Sequence, residues 1–328
     1  MAVREEIDLF GGPDLVFGCR HVPAEASGLG VLVCLGAPSD GPVDDGRAAR
    51  LGRRLAGEGV AVQRFHYRGA WPSDGDPRGV GFDDLVEDAA RALDLLRDRT
   101  AVRQVAFVGA RLGALVAARV ARSEPGAPVA LWAPVPDPRA ALEQAARARV
   151  ARGPSAHAGA AAPAPPVPPA SSPSVASNGS GAPPPGAPLD GGLVSGAAPG
   201  GIRSPAGADD LDAPVDLFDT PLAAELAAGS AVRSLADELG HGPRPVLLAV
   251  ATSGGRETIV AGCRARGMAV DVMAHTYDDE RDGRAIPGAP ADDLVDETAG
   301  WLVARLTSGT PAAGPARAAP ATGSEVDG

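Results

Sequence analysis

The stretch Gly109-Ala110-Arg111-Leu112-Gly113 sets an arginine midway between two glycines, after an apolar run and at the start of an amphipathic one. Glycine at both ends lets the chain turn sharply from strand to helix. The first turn of a helix offers free N–H groups and a positive dipole end, and a guanidinium adds a fork of donors. The chemistry open to such a group is to hold an anion. It cannot attack a carbonyl, because it stays protonated and has no lone pair. In the plainer reading Arg111 fills its own pocket and pairs with an internal carboxylate: Asp40, Asp74 or an acid from a lid.

Other reactive side chains read as structure first. Ser73 lies among turn residues, where its hydroxyl bonds the backbone. Ser253, in Thr252-Ser253-Gly254-Gly255, reads as a loop residue. Cys34 falls inside an apolar strand pattern, which raises a thiol's pKa and quiets it. Asp278-Asp279-Glu280 with Asp282 has oxygen ligands for a divalent cation but not the spacing of a calcium loop, so it reads as a solvated acidic loop. No metal site or cofactor is expected. Of the five histidines, His21 and His66 come early, His157 falls in a Pro-rich stretch and His241 precedes a strand. His275 is the remaining candidate base. Trp71 would wall a pocket near the Arg111 turn.

Composition removes whole classes of function. The 328 residues carry a net charge of −11, which argues against a grip on nucleic acid or anionic membrane. No run of 18 apolar residues exists, so membrane insertion is not expected. The first eight residues include Arg4, Glu5, Glu6 and Asp8 and do not read as a signal peptide. Three cysteines without metal spacing suit a reduced, cytoplasmic setting. All 30 basic residues are arginine, so one surface arginine says little about function.

Positioning these residues falls to an alternation of short apolar runs with amphipathic stretches. Strands are expected at Val31–Leu35, Val60–Phe65, Gln104–Val108, Val129–Ala133, Val246–Val250 and Val270–Met273, after a hairpin of Glu6–Phe10 and Leu15–His21. Helices are expected at Asp45–Ala56, Phe82–Arg97, Leu112–Arg122, Glu257–Arg266 and Ala291–Leu306, with Arg139–Ala151 and Pro221–Leu239 flanking an insertion. Continuous apolar strands alternating with helices mean a mostly parallel sheet covered on both faces, with ligands at the carboxyl ends of its strands. Residues 153–208 hold 13 of the 33 prolines and only two charges, Asp190 and Arg203, and read as a disordered linker. The division expected is a first core part (1–135), a helical cap interrupted by that linker (136–243), a second core part (244–307) and a disordered tail (308–328).

Three stretches together resemble the α/β-hydrolase superfamily, with the nearest likeness to serine-aminopeptidase-like hydrolases, including exosortase-associated ones. Val31-Leu-Val-Cys-Leu-Gly-Ala-Pro38 resembles the strand and turn entering the oxyanion loop, which implies a ligand-facing role for Gly36 and Ala37. His66-Tyr-Arg-Gly-Ala-Trp-Pro-Ser-Asp-Gly-Asp76 resembles the family's Asp-Tyr-Arg-Gly-x-Gly-x-Ser-x-Gly turn, with His66 and Trp71 as departures. Val105 to Ala114 resembles the strand–elbow–helix of the nucleophile, with Arg111 where the family has serine. The resemblance puts the acid after Val246–Val250, where no carboxylate comes before Glu257. It puts the histidine after Val270–Met273, where His275 directly continues the strand.

The expectation is an α/β-hydrolase fold without an intact triad. It would bind an anionic or acyl-bearing small molecule, or a protein partner, through Gly36, Ala37, Arg111 and Leu112 in the old active-site cleft. The alternative is an ester or acyl hydrolase with relocated groups.

Overall fold

The computed structural model describes residues 3–36, 44–143, 146, 217, 220–229, 232–250, 256–274 and 291–308. Eight strands form one sheet: β1 (Arg4–Gly11), β2 (Leu15–Val22), β3 (Leu29–Cys34), β4 (Ala61–Phe65), β5 (Gln104–Ala110), β6 (Val129–Trp132), β7 (Pro245–Val250) and β8 (Ala269–Ala274). Their spatial order is β1-β2-β4-β3-β5-β6-β7-β8. Only the β1–β2 and β2–β4 pairings are antiparallel; all others are parallel.

The parallel centre explains the apolar runs. A strand covered on both faces cannot alternate with polar residues. Val31, Val33, Ala106 and Val108 face a cluster completed by α1 (Asp45–Gly57) and the C-terminal helix α7 (Ala291–Ser308). Leu32, Cys34, Val105 and Phe107 face the opposite cluster, filled by α2 (Phe82–Arg99) and α3 (Gly113–Ala121). The stripe Leu85, Ala89, Leu93 and Leu96 of α2 is buried there, as its spacing requires. α6 (Arg256–Ala265) adds Ile259 and Cys263 to that second cluster.

Polar links fix the helices on the sheet. The buried Arg244 donates to the carbonyls of Ala121, Glu124 and Ala127 at 2.9–3.3 Å, closing the C-terminal end of α3. Asp271 of β8 accepts from Trp301 and Arg305 of α7 at 2.7 and 2.6 Å.

One expected helix is two. The run expected as Pro221–Leu239 breaks into α4 (Pro221–Ala228) and α5 (Leu235–Leu239). Gly229 takes a left-handed φ of 61° and ends α4, and the Ser234 hydroxyl accepts from the Asp237 amide to start α5. Both helices sit against the α2–α3 side, with Leu222, Leu226, Leu235 and Leu239 in that cluster. Glu225 of α4 accepts the first amide of α2, that of Phe82, at 2.6 Å. Glu238 of α5 is buried and takes both ends of the Arg119 fork from α3. Of the helix expected at Arg139–Ala151, residues 138–143 and 146 are helical and the rest lies outside the described residues, as do the stretch 153–208 and the tail from 309 on, Ser308 being the last residue of α7. No helix among the described residues is long and apolar enough to cross a membrane.

Candidate functional site

At the carboxyl end of β5 the chain turns into α3 through Arg111, whose φ of 52° is left-handed. A non-glycine residue holds that conformation at a cost of the order of 1 kcal/mol, so its surroundings must fix it. They do. The Arg111 amide donates to the Trp132 carbonyl at 2.9 Å, and the Arg111 carbonyl accepts from Ala114 at 3.2 Å. Gly113 has no alternative: a Cβ there would sit 1.8 Å from the Leu35 carbonyl oxygen. At Gly109 the same atom would come within 2.6 Å of the Ala114 backbone. The two glycines let the end of β3, β5 and α3 meet at one point.

The Arg111 side chain does not reach out over the strand ends. It is 2% exposed, and its Nε lies 3.4 Å from the Asp44 carboxylate, itself buried. Asp44 also accepts from Arg47 of α1 at 3.3 Å. Among the described residues, the internal acid beside the guanidinium is Asp44. Asp74 is elsewhere: its carboxylate accepts from the Leu15 amide at 3.4 Å. Asp40 lies outside the described residues. Leu112, next to the apex, is buried, and Gly36 is half-buried at the end of β3. Ala37 and His275 lie outside the described residues, as do Thr252, Ser253 and the acidic cluster at 278–282.

The turn after β4 is spent on structure. Ser73 Oγ accepts from the Phe17 amide at 2.8 Å and donates to the His66 carbonyl at 2.7 Å, so its hydroxyl is fully used. Arg68 reaches Asp84, Glu87 and the buried Asp88 of α2, and this ring of carboxylates, Asp88 foremost, raises its pKa further. Gly69 and Gly75 take the positive φ values that the turn needs. Trp71 walls nothing: it is 90% exposed. Cys34 is buried against the Tyr67 hydroxyl, and burial pushes its thiol up to about 12. It is a core residue.

Two histidines that sequence order made unremarkable pack against α1, His66 at its start and His21 near Gly52. His66 Nε2 stands 3.9 Å from Asp45 at the start of α1. Burial lowers the His66 pKa and raises that of Asp45, while each partner's charge pulls the other way. On β2, His21 is fully buried, and its Nε2 accepts from Arg64 Nε at 3.2 Å. Burial, reinforced by Arg64, takes its pKa down to about 4. No pattern along the chain pairs His21 with Arg64. The antiparallel β2–β4 register, Cys19 opposite Arg64 and His21 opposite Val62, does so. No group of three metal-ligating side chains occurs among the described residues.

Residues 44–172 match the family model described as serine aminopeptidase, S33. The matched stretch includes the Arg111 turn and ends before β7 and β8. Solved structures with the same architecture include an esterase from Pyrococcus furiosus (TM-score 0.56, 13% identity, 93% of this chain and 92% of that one). A ferulic-acid-bound Est1E from Butyrivibrio proteoclasticus matches with TM-score 0.53 and 13% identity, over 92% of this chain and 100% of that one. A proline iminopeptidase from Mycobacterium smegmatis matches with TM-score 0.52 and 12% identity, over 92% and 99%. At such identities the likeness establishes the fold. A comparison with curated proteins gives no match.

Proposed function

We propose that the chain, whose fold is that of the solved esterases and whose residues 44–172 match the serine aminopeptidase, S33 model, is a non-hydrolytic member of the α/β-hydrolase superfamily that binds an anionic or acyl-bearing small molecule, or a protein partner, at the carboxyl ends of β3 and β5. One observation carries the proposal. Arg111 occupies the apex where the superfamily presents its serine, and it is buried on Asp44. Loss of a triad member costs on the order of 10⁴-fold in rate, and the residue here cannot be a nucleophile under any protonation state available to it.

The backbone of the elbow supports a binding role. Leu112 and Gly113 open α3, whose amides and dipole favour a carbonyl or carboxylate oxygen. In this reading Arg111 is the anchor that keeps the turn closed, and the ligand's oxygen is held by the helix start together with Gly36 and Ala37. A relocated hydrolase is the second reading, and the His66–Asp45 pair at 3.9 Å favours it. The setting we propose is the cytoplasm, which the three buried, unpaired cysteines support.

Turnover of short p-nitrophenyl esters tests the proposal. Wild type should release nitrophenol no faster than buffer, and His66→Gln should change nothing. Turnover that His66→Gln abolishes would replace the binding role by the relocated hydrolase.

A further inference from the structure

We infer that the seat of α1 on the sheet is an acid-sensitive clasp: a proton taken up at His21 lifts α1 and with it withdraws Asp44 from Arg111. The inference rests on the Arg111–Asp44 contact and not on what the cleft binds.

The geometry around His21 leaves a proton no place. Its Nε2 accepts from the Arg64 Nε–H, so the ring carries its single hydrogen on Nδ1, which faces the Glu5 carboxylate at 3.5 Å. Protonation at Nε2 would turn that hydrogen bond into two donors and two cations at 3.2 Å. The His21 ring cannot step aside within the docked state. From α1, Gly52 lies directly on the ring: a Cβ there would come within 2.3 Å of Cδ2 and 2.5 Å of Nε2. The space a water would need over the ring is filled by the backbone of the helix itself.

The charges facing His21 come from each element packed on it. Glu5 of β1 favours the imidazolium, and Arg64 of β4 and Arg53 of α1 oppose it. Glu5 is itself held by Arg53 at 2.6 Å, which ties the acid to the helix. Cys19 of β2 lies on the same face, its thiol pushed up by burial. At the other end of α1, burial lowers the His66 pKa as well, so both histidines oppose docking in acid. Asp45, raised by burial, runs the other way and offsets part of the His66 contribution.

The sign follows from linkage. Burial first, then Arg64, holds His21 below its ordinary 6.5 when α1 is seated; lifting α1 relieves part of that burial and removes Arg53, which moves the titration back toward 6.5. Seating is therefore fully favoured above pH 6.5 and weakens as pH falls through that value toward 4. The helix carries Asp44 at its entry and Arg47 in its first turns, so lifting it breaks the contact that fixes the apex side chain.

Hydrogen exchange of the α1 amides in the intact protein, corrected for intrinsic exchange, reads the clasp. The opening constant of 45–57 should rise several-fold, up to about twentyfold, from pH 7 to pH 5 in wild type and stay nearly flat in His21→Gln, whose amide oxygen still accepts from Arg64. α2 should show no such dependence. A flat wild-type profile, or the same slope in His21→Gln, would overturn the inference. Should His21→Gln not fold, the His21 ring resonance in wild type decides. A ring still neutral at pH 5 while α1 is seated supports the clasp, and a titration near 6.5 with α1 protected contradicts it.

Discussion

Two turns at the carboxyl end of the sheet were built on glycine and carry an arginine each, and they use it differently. After β4, Gly69 and Gly75 bend the chain and Arg68 runs back to the carboxylates of α2. After β5, Gly109 and Gly113 let the chain approach β3, and it is the arginine itself that takes the left-handed φ. In the first turn a side chain holds a backbone. In the second a backbone built to present a side chain presents one that folds inward onto Asp44. Strained geometry at a turn is therefore not proof that the residue it displays does chemistry.

The comparison breaks first at Gly113. Alanine there must displace the Leu35 carbonyl, and because both atoms belong to the closest approach of β3 and α3 we expect at least about 3 kcal/mol, enough to leave little folded protein. Urea unfolding against Gly46→Ala, where a Cβ meets nothing within 4 Å, checks it.

The next effect separates an anchor from a ligand clamp. Arg111→Met takes one cation from the buried Asp44 carboxylate and should cost about 3 kcal/mol, with most of it returned when Asp44→Asn is added. Millimolar phosphate should not raise the wild-type melting temperature. A stable Arg111→Met protein whose wild-type parent is stabilised by phosphate would turn the anchor into an open anion site.

Ser73→Ala is smaller. It removes an acceptor from the Phe17 amide and a donor to the His66 carbonyl, about 1–2 kcal/mol on chemical denaturation. Within the comparison it shows the first turn losing stability and nothing else.

The sequence made the order of strands and helices plain, because each central strand is apolar on both faces and each helix shows one buried stripe. It also made the elbow plain, from two glycines between a strand and a helix. The partner of Arg111 was not legible. Asp40, Asp44 and Asp74 are all carboxylates far from Arg111 along the chain, and only the seating of α1 against β4 and its contact with α7 bring Asp44 under the guanidinium. His21 escaped notice for a like reason. Its neighbour Arg64 is set by a pairing that β3 interrupts in sequence, and its lid is a glycine with no side chain to signal contact. The break at Gly229 was hidden inside an alanine-rich run whose helix propensity outweighs one glycine on paper; the left-handed cap there ends the helix all the same.

The central claim is that the elbow presents no nucleophile, and covalent labelling tests it most directly. A fluorophosphonate needs an activated hydroxyl beside a base and an oxyanion hole. Intact-mass analysis of the wild-type protein after long exposure should show no added phosphonyl group. Stoichiometric addition, at Ser73, Ser253 or any other serine, would show that the hydrolase machinery survives elsewhere in the cleft and would contradict the account.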